Sequence, residues 1–372
     1  MIKQKKVMVV FGTRPEAIKM APVIQALRQN ENIFCQVIVT AQHREMLDQV
    51  LQLFNIVPDF DLDLMRQGQT LTEITTRALI GLREVFQREL PDLVLVHGDT
   101  TTTFVAALAA FYAQIPVGHV EAGLRTGNKY SPFPEEMNRK LASVLADLHF
   151  APTETARRNL LHEGTASEKI FVTGNTVIDA LLATVKPKYN FQDPSIEAIL
   201  QKGNAQMILV TTHRRENLGE PMRQIYQALR STLDSFPNTY VIFPVHKNPL
   251  VRKVVTEVLG SHERVSLVEP MDYEPFVNLM ARSHLILTDS GGIQEEAPSL
   301  GIPVLVVRDT TERPEAVEAG TVSLVGTDYE SVHLELKRLL GDQIAYQSMA
   351  MASNPYGDGS AARRIVEIIG EY

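Results

Sequence analysis

The chain has 372 residues, of which 44% are hydrophobic and 22% are charged, and its formal net charge is −8. At about 150 residues per domain, this length predicts two to three domains. The acidic balance disfavours nucleic acids and anionic membranes as general partners. A single cysteine excludes an internal disulfide framework and a cysteine-rich zinc site. No apolar run approaches the roughly 20 residues that span a bilayer, so we expect a cytoplasmic protein.

In the first half of the chain, short apolar runs alternate with helical patterns, which is typical of βαβ units. The predicted strands are 7–11, 37–40, 93–97, 117–120, 149–151 and 170–172. The predicted helices are 15–28, 45–53, 72–90, 102–113 and 135–146. The segment 186–206 is richer in Pro, Lys, Asp and Gln and is interpreted as a connector with one short helix.

The same alternation restarts after this connector. The predicted strands are 207–211, 240–244, 265–268, 285–288 and 304–307, and the predicted helices are 221–235, 250–259, 275–281, 293–300 and 361–370. The sequence therefore predicts an α/β fold with two Rossmann-like domains, 1–180 and 181–355, that face a central cleft, followed by a terminal helix segment, 356–372. In open parallel sheets, ligands bind beyond the carboxyl ends of the strands, so the loops there are the candidates for chemistry.

The loop after the first strand has the features of a phosphate site. Residues 12–16 are Gly-Thr-Arg-Pro-Glu, and Lys19 follows one turn into the helix. This pattern is neither a dinucleotide fingerprint nor a P-loop. A tight turn, a helix N-terminus and two cations, Arg14 and Lys19, suit a phosphate group. The alternative is that both are solvated helix charges.

Carboxylates follow two further strands of this half. Asp99 follows strand 93–97, Glu121 follows strand 117–120, and Glu135 and Glu136 precede a helix. Each of them has a capping or helix-dipole interpretation. Three acidic loops around one sheet edge favour a functional cluster instead.

The loops of the second half suggest an anion site. His213 and Arg214 directly follow a strand, and His246 repeats that pattern more weakly. In the run Asp-Ser-Gly-Gly at 289–292, a strand enters a turn that opens a helix, so backbone N–H groups can meet a diphosphate. Arg313 follows the next strand.

Two other positions have competing interpretations. Glu296 is either a surface helix residue or a partner for two ribose hydroxyls, and Phe276 is either a core residue or a base contact. The sequence contains no metal-ligand spacing and no serine nucleophile elbow. A diphosphate cradle in one half and a carboxylate cluster in the other indicate a nucleotide-sugar enzyme.

Five ordered motifs carry a family resemblance. Phe-Gly-Thr-Arg-Pro-Glu at 11–16, His-Gly-Asp-Thr at 97–100, His-Val-Glu-Ala-Gly-Leu-Arg at 119–125, His-Arg-Arg-Glu at 213–216 and Asp-Ser-Gly-Gly at 289–292 closely resemble the non-hydrolysing bacterial UDP-N-acetylglucosamine 2-epimerases. The likeness covers essentially the whole chain. It implies the architecture of B-type glycosyltransferases, a homodimer, no cofactor, and a last helix that packs back on the N-terminal domain.

The resemblance also implies a reaction and its residues. The family interconverts UDP-GlcNAc and UDP-ManNAc by anti elimination of UDP to 2-acetamidoglucal and readdition, and it supplies ManNAc to surface polysaccharides. By this likeness, Asp99, Glu121 and Glu135 handle protons, with His213 as a further catalytic residue. UDP is held by a larger set: Arg14, Lys19, Met271, Phe276, Ser290, Gly291, Gly292, Glu296 and Arg313.

Several members of the family also bind a second UDP-GlcNAc as an activator. The residues that resemble parts of that second site are Gln42, His43, Arg66, Gln69, Glu136, Arg214 and His246, each with a surface or structural alternative. Three other functions stay open from the sequence: a hydrolysing relative that releases ManNAc and UDP, a glycosyltransferase of the same fold, and a catalytically silent nucleotide-sugar sensor.

Overall fold

The computed structural model describes residues 4–41, 44–64, 66 and 68–372, without the side chain of residue 45. The chain divides into two compact units, Met1–Leu182 with Tyr356–Tyr372, and Ala183–Pro355. Each unit is built on a β-sheet in which every described strand pair is parallel.

The first unit has a seven-stranded sheet in the order β3-β2-β1-β4-β5-β6-β7. Its strands are β1 (Lys5–Phe11), β2 (Ile33–Val39), β3 (Phe60–Asp61), β4 (Leu93–His97), β5 (Val117–Val120), β6 (Leu148–Ala151) and β7 (Ile170–Val172). Its helices are α1 (Arg14–Gln29), α2 (Arg44–Leu53), α3 (Leu71–Glu89), α4 (Thr101–Tyr112), α5 (Glu135–Leu145) and α6 (Glu154–His162). The helix α7 (Thr176–Thr184) follows, and its last residues belong to the second unit.

The second unit has a six-stranded sheet in the order β10-β9-β8-β11-β12-β13. Its strands are β8 (Gln206–Thr211), β9 (Thr239–Pro244), β10 (Val265–Val268), β11 (Leu285–Thr288), β12 (Val304–Val306) and β13 (Val322–Leu324). Its helices are α8 (Pro194–Leu200), α9 (Glu220–Ser235), α10 (Pro249–Leu259), α11 (Tyr273–Met280), α12 (Gly291–Glu296), α13 (Pro314–Glu318), α14 (Tyr329–Gly341) and α15 (Gln343–Ala350). The last helix of the chain, α16 (Ala361–Glu371), is part of the first unit.

The cores of both units are built from the apolar faces that the sequence pattern predicts. Val94 and Val96 of β4 are fully buried against α3 and α4, together with the helix residues Leu82 and Phe86. Burial of such side chains contributes about 1.5–3 kcal/mol each. The helix α16 packs on α1, and Lys5 donates to the carbonyl of Ile369 at 2.8 Å.

The order of the strands determines which loops meet. The strands β1, β4 and β5 are neighbours in the first sheet, and β8 and β11 are neighbours in the second. In a parallel sheet the carboxyl ends of neighbouring strands lie at one edge, so the loops that follow them are adjacent. This places the acidic loops of the first unit side by side, and it brings the loop at 212–217 to the loop at 289–292.

The structure also contains elements that the sequence patterns do not predict. They are β3, α6, α7, α13, β13, α14 and α15. In addition, α11 begins at Tyr273 rather than at 275, and the predicted helix 293–300 consists of α12, from Gly291, followed by a 3-10 turn (Ala297–Leu300). The short 3-10 turn begins at Ala297, directly before Pro298, which has no backbone N–H to donate.

Candidate active site

A buried carboxylate joins the loops after β1 and β4. Glu16 on α1 accepts hydrogen bonds from the Thr13 amide at 2.8 Å and from the Thr100 hydroxyl at 2.7 Å. Burial raises the pKa of Glu16, and these hydrogen bonds oppose that rise. Thr100 also caps α4, because its hydroxyl accepts a hydrogen bond from the Thr103 amide at 3.1 Å.

Glu121 lies directly after β5 and is held by donors from two other elements. Lys19 of α1 forms an ion pair with its Oε2, and Asn175 Nδ2 donates to the same oxygen at 3.0 Å. His97 Nε2 lies 3.8 Å from this oxygen. Glu121 has a backbone φ of 62°, in the left-handed region that non-glycine residues seldom adopt. The fold therefore sets this carboxylate in one defined place, beside Lys19, which is a predicted phosphate-binding residue.

Asp99 and Glu136 share an arginine. Arg139 of α5 forms an ion pair with Asp99, and it donates to Glu136 Oε2 at 3.2 Å. Glu136 is fully buried, and its two oxygens also accept the amides of Thr126 and Gly127, each at 3.1 Å. These contacts make Glu136 an internal support of the loop before α5. Asp99 keeps part of its surface exposed.

Two more predicted residues of the first unit lie half-buried at helix starts. Arg14 is the first residue of α1 and Glu135 is the first residue of α5. A carboxylate is favoured at such an N-terminus by the helix dipole, whereas a cation there is not. The helix dipole therefore gives no reason for an arginine at the start of α1.

Three histidines are buried in three consecutive strands of the first sheet. They are His97 on β4, His119 on β5 and His149 on β6, and His119 and His149 are paired in the sheet register. Burial lowers the pKa of His97 to about 4, of His119 to about 3 and of His149 to about 4. All three are consequently neutral near pH 7.

In the second unit, the buried Asp289 organises the loop after β8. Its Oδ2 accepts the amides of His213 and Arg214, both at 2.8 Å, and its Oδ1 lies 3.4 Å from His213 Nδ1. The ring of His213 stacks on that of His246, with centroids 5.3 Å apart. Burial lowers the pKa of His213, the Asp289 charge opposes this change, and His246 adds to it.

The Ser-Gly-Gly turn leads into α12 with its amides at the helix start. The first amides of a helix have no partner within that helix. A Cβ added to Gly291 or Gly292 would meet nothing closer than 3.9 Å, so the fold of the chain does not itself require glycine at either position. The missing side chains instead leave room for another group to approach the backbone. Ser290 is less available, because its amide donates to the Thr288 hydroxyl at 2.9 Å.

Two adjacent carboxylates at the end of α12 fix their neighbours. Glu295 forms an ion pair with Arg313, so the charge of this arginine is balanced in the fold. Glu296 accepts the Tyr273 hydroxyl at 3.1 Å and keeps a small exposed fraction. Arg313 also lies beside Gly291, at 4.0 Å from an added Cβ. The structure thus brings Arg313, Glu296 and the glycine turn together.

The two residues predicted to contact the base lie on the loop before α11 and on α11 itself. Met271 and Phe276 are both half-buried. Met271 lines a cavity of about 390 Å³ together with Tyr189, Phe191, Ile196 and Pro275.

The residues predicted for a second nucleotide site are spread over both units. Arg66 is exposed near Asp63, and Gln69 accepts from Arg77 at 3.4 Å. Arg214 donates through Nε to the carbonyl of Asp289 at 3.3 Å. Gln42 and His43 lie outside the described residues.

Sequence reasoning did not assign Asn175, Arg139, Asp289 and Glu295, each of which holds a predicted site residue. Asn175 follows the end of β7, so the rule that places ligand loops after parallel strands contained a signal for it. Arg139 and Glu295 lie within helices, where a charged residue is ordinary and carries no such signal.

No group of three or more His, Cys, Asp or Glu side chains among the described residues is placed to hold a metal ion. Within the same residues, no helix has the length and apolar character needed to cross a membrane.

Comparison with known proteins gives a consistent match. The family model described as UDP-N-acetylglucosamine 2-epimerase matches residues 25–370. The UDP-N-acetylglucosamine 2-epimerase of Bacillus subtilis (strain 168) is 59% identical over 366 residues, which are 98% of this chain and 95% of that protein. The resemblance to UDP-N-acetylglucosamine 2-epimerases is confirmed.

Two solved structures are similar over nearly the whole chain. The S. aureus MnaA–UDP co-structure has a TM-score of 0.88 and 52% identity, and the match covers 99% of this chain and 97% of that one. The UDP-GlcNAc 2-epimerase from Neisseria meningitidis bound to UDP-GlcNAc has a TM-score of 0.85 and 52% identity. This match covers 99% of this chain and 100% of that one. The α/β fold of two Rossmann-like domains of the B-type glycosyltransferase kind is confirmed. The chain belongs to the UDP-N-acetylglucosamine 2-epimerase family.

Proposed function

We propose that this enzyme interconverts UDP-GlcNAc and UDP-ManNAc at C2 of the sugar without hydrolysis. The observation that carries the proposal is the placement of Asp99 and Glu121 at neighbouring strand ends, each held by a cation, in a chain of this family. Such carboxylates are suited to take and return a proton.

The reaction requires one group of residues that stabilises the leaving UDP and another that removes and returns the C2 proton. The C2 proton is barely acidic, so cleavage of the anomeric C–O bond has to lead or accompany its removal. UDP leaves with the electron pair of that bond, the C2 proton moves to a carboxylate, and a C1–C2 double bond forms. Readdition of UDP at C1, with protonation of C2 on the opposite face, gives the epimer.

The first unit supplies the proton-handling groups in this proposal. Asp99, Glu121 and Glu135 exchange protons with the sugar and its glucal intermediate. Arg14 and Lys19 stabilise the leaving diphosphate, since charge that develops in the transition state is best met by groups already in place. Lys19 is next to Glu121 in the structure, so it can serve both the carboxylate and an anion.

The second unit supplies the nucleotide groups. The turn 290–292 and Arg313 bind the diphosphate, Glu296 binds the ribose hydroxyls, and Phe276 with the backbone of Met271 holds uracil. His213 faces the phosphates and acts in catalysis. Its loop is supported by two short hydrogen bonds to Asp289, which preorganises it.

Product analysis separates this function from hydrolysis. We expect purified enzyme and UDP-GlcNAc to give a stable mixture of UDP-GlcNAc and UDP-ManNAc in ¹H and ³¹P NMR spectra. Accumulation of free ManNAc and UDP would favour the hydrolysing alternative. Turnover only with an added acceptor would favour a glycosyltransferase, and no turnover would favour a sensor.

We also infer that the enzyme is a homodimer that supplies ManNAc for surface polysaccharides. Exposed apolar side chains on α4 and α5 of the first unit support a self-association surface, among them Tyr112, Leu141 and Val144. Val144 is 83% exposed on a helix. We expect the wild type to have the mass of a dimer in light scattering. Val144→Asp should shift the measured mass toward that of a monomer. A monomeric wild type would contradict the dimer.

A second UDP-GlcNAc as activator is the remaining part of the proposal. The stacking of His246 on His213 would give such a ligand a direct route to the catalytic loop. We expect a sigmoidal dependence of the rate on UDP-GlcNAc and little reverse reaction without a trace of it. Hyperbolic forward kinetics with full activity on UDP-ManNAc alone would remove the activator site.

A further inference from the structure

The mechanism above leaves one buried histidine beside Glu121 without a role. His97 is the last residue of β4, and it is only 3% exposed. Within the described residues, neither ring nitrogen of His97 has a hydrogen-bond partner. A buried polar ring without a partner costs free energy, so its presence at a candidate site calls for a reason.

The groups around this ring are charged residues from neighbouring elements and a second histidine. Glu121 follows β5, Asp99 follows β4, Lys19 lies on α1 and His119 lies on β5. Burial is the largest effect on the pKa of His97, and it outweighs the opposing charges of Glu121 and Asp99. The ring is neutral near pH 7 and carries one N–H.

The position of that hydrogen follows from what faces the ring. Oε2 of Glu121 lies 3.8 Å from Nε2 of His97. A carboxylate oxygen repels the lone pair of an unprotonated nitrogen and attracts an N–H, so the hydrogen is favoured on Nε2. We propose that His97 is a positioning residue for Glu121, which acts as a neutral Nε2–H donor toward Oε2.

This role rests on the proposed function, in which Lys19 shares its charge between Glu121 and the leaving diphosphate. The ion pair between Lys19 and Glu121 then weakens as substrate binds. The carboxylate keeps its neutral donors, Asn175 at 3.0 Å and His97. Donors to the charged form favour ionisation, so Glu121 remains a base after losing part of its counter-charge. Since 3.8 Å exceeds hydrogen-bond length, we expect the contact to shorten in the substrate complex.

Two substitutions test the donor. His97→Leu removes it, and His97→Gln places an amide N–H near the position of Nε2. We expect kcat of His97→Leu to fall roughly tenfold or more with little change in KM, as for loss of one hydrogen bond to a charged group. The acid limb of its kcat–pH profile should move up by about one pH unit. His97→Gln should restore most of kcat and the wild-type limb.

The matched control is His149→Leu. His149 is equally buried on β6, which β5 separates from β4 in the sheet. The His149→Leu variant should keep the wild-type KM and pH profile. A wild-type profile for His97→Leu, or no recovery in His97→Gln, would overturn the proposal.

A second measurement does not depend on turnover. In NMR spectra of the ¹⁵N-histidine-labelled enzyme, His97 should show the Nε2–H tautomer near pH 7, and Glu121→Gln should change its ring nitrogen shifts. An Nδ1–H tautomer, or shifts insensitive to Glu121→Gln, would overturn the proposal even if His97→Leu fails to fold. Absence of epimerisation by the wild type would instead contradict the proposed function.

Discussion

Glu16 shows how one buried side chain connects two loops of the candidate site. Its Oε2 accepts the Gly12 amide at 3.1 Å and the Thr13 amide at 2.8 Å, while its Oε1 accepts the Thr100 hydroxyl. A carboxylate can accept hydrogen bonds from all of these donors. In glutamine, the NH₂ group is itself a donor and would face some of them. We therefore expect Glu16→Gln to lower the free energy of unfolding by about 2 kcal/mol.

Urea unfolding measures this effect, and α3 offers a matched control. Glu73 accepts the Thr70 amide at 2.6 Å and the Thr70 hydroxyl at 2.8 Å, but it lies in solvent at the start of that helix. Water can replace its donors, so Glu73→Gln should change stability much less. Equal losses for Glu16→Gln and Glu73→Gln would show that burial of Glu16 is unimportant.

The three carboxylates assigned to proton transfer are tested by isosteric amides. Asp99→Asn, Glu121→Gln and Glu135→Gln keep the size of each side chain but cannot take a proton. Each should lower kcat by roughly 10²-fold or more, which is the usual range for a lost general acid or base. Steady-state kinetics with UDP-GlcNAc measure this decrease in kcat, and thermal unfolding checks that each variant keeps the fold. A residue whose variant retains wild-type turnover has no part in the proton transfer.

At the scale of single residues, the sequence indicated candidate site residues but not the side chains that hold them. Asp99, Glu121 and His213 became candidates because they follow strands. Their partners Arg139 and Asn175 come from α5 and from the loop after β7. Which distant side chain reaches a given carboxylate depends on tertiary packing, and local pattern carries no information about it.

The strands β4, β5 and β6 carry the buried histidines, and these side chains should make stability depend on pH. The pKa values of His97, His119 and His149 are lowered to about 4, 3 and 4, whereas an unfolded histidine titrates near 6.5. Between pH 6.5 and about 4 the unfolded chain binds more protons than the folded one. Stability is thus lost as pH falls through this window.

Each of these histidines should remove roughly 1 kcal/mol of stability between pH 7 and 5.5. Urea unfolding at the two pH values measures the loss. His149→Gln should reduce the difference, and substitution of the exposed His162 by glutamine should not. An equal difference in both variants would contradict the assignment of the effect to buried histidines.

Among the elements, the strongly patterned strands were predicted to within two residues, except that β2 begins earlier. The buried strand β11 is one example, with four apolar or small residues bounded by polar ones. The strand β3, with two residues, is too short to show any period. The helices α14 and α15 were not predicted, although their capping aspartates, Asp328 and Asp342, are in the sequence.

At the scale of the whole molecule, the candidate site residues are divided between the two units. The first carries the carboxylates with Arg14 and Lys19, and the second carries the glycine turn, Arg313 and the Asp289-supported loop. A net charge of −8 conceals this distribution of cations. Alternation of strands and helices was enough to predict two Rossmann-like domains, because each pattern has its own period.

The most direct test of the proposed mechanism is solvent exchange at C2. The enzyme is incubated with UDP-GlcNAc in D₂O and the sugars are followed by NMR. Removal and return of a proton by side chains that exchange with solvent predicts deuterium at C2 of UDP-ManNAc, and in time of the recovered UDP-GlcNAc, with no loss of UDP to hydrolysis. UDP-ManNAc that keeps its original hydrogen at C2 would contradict the mechanism.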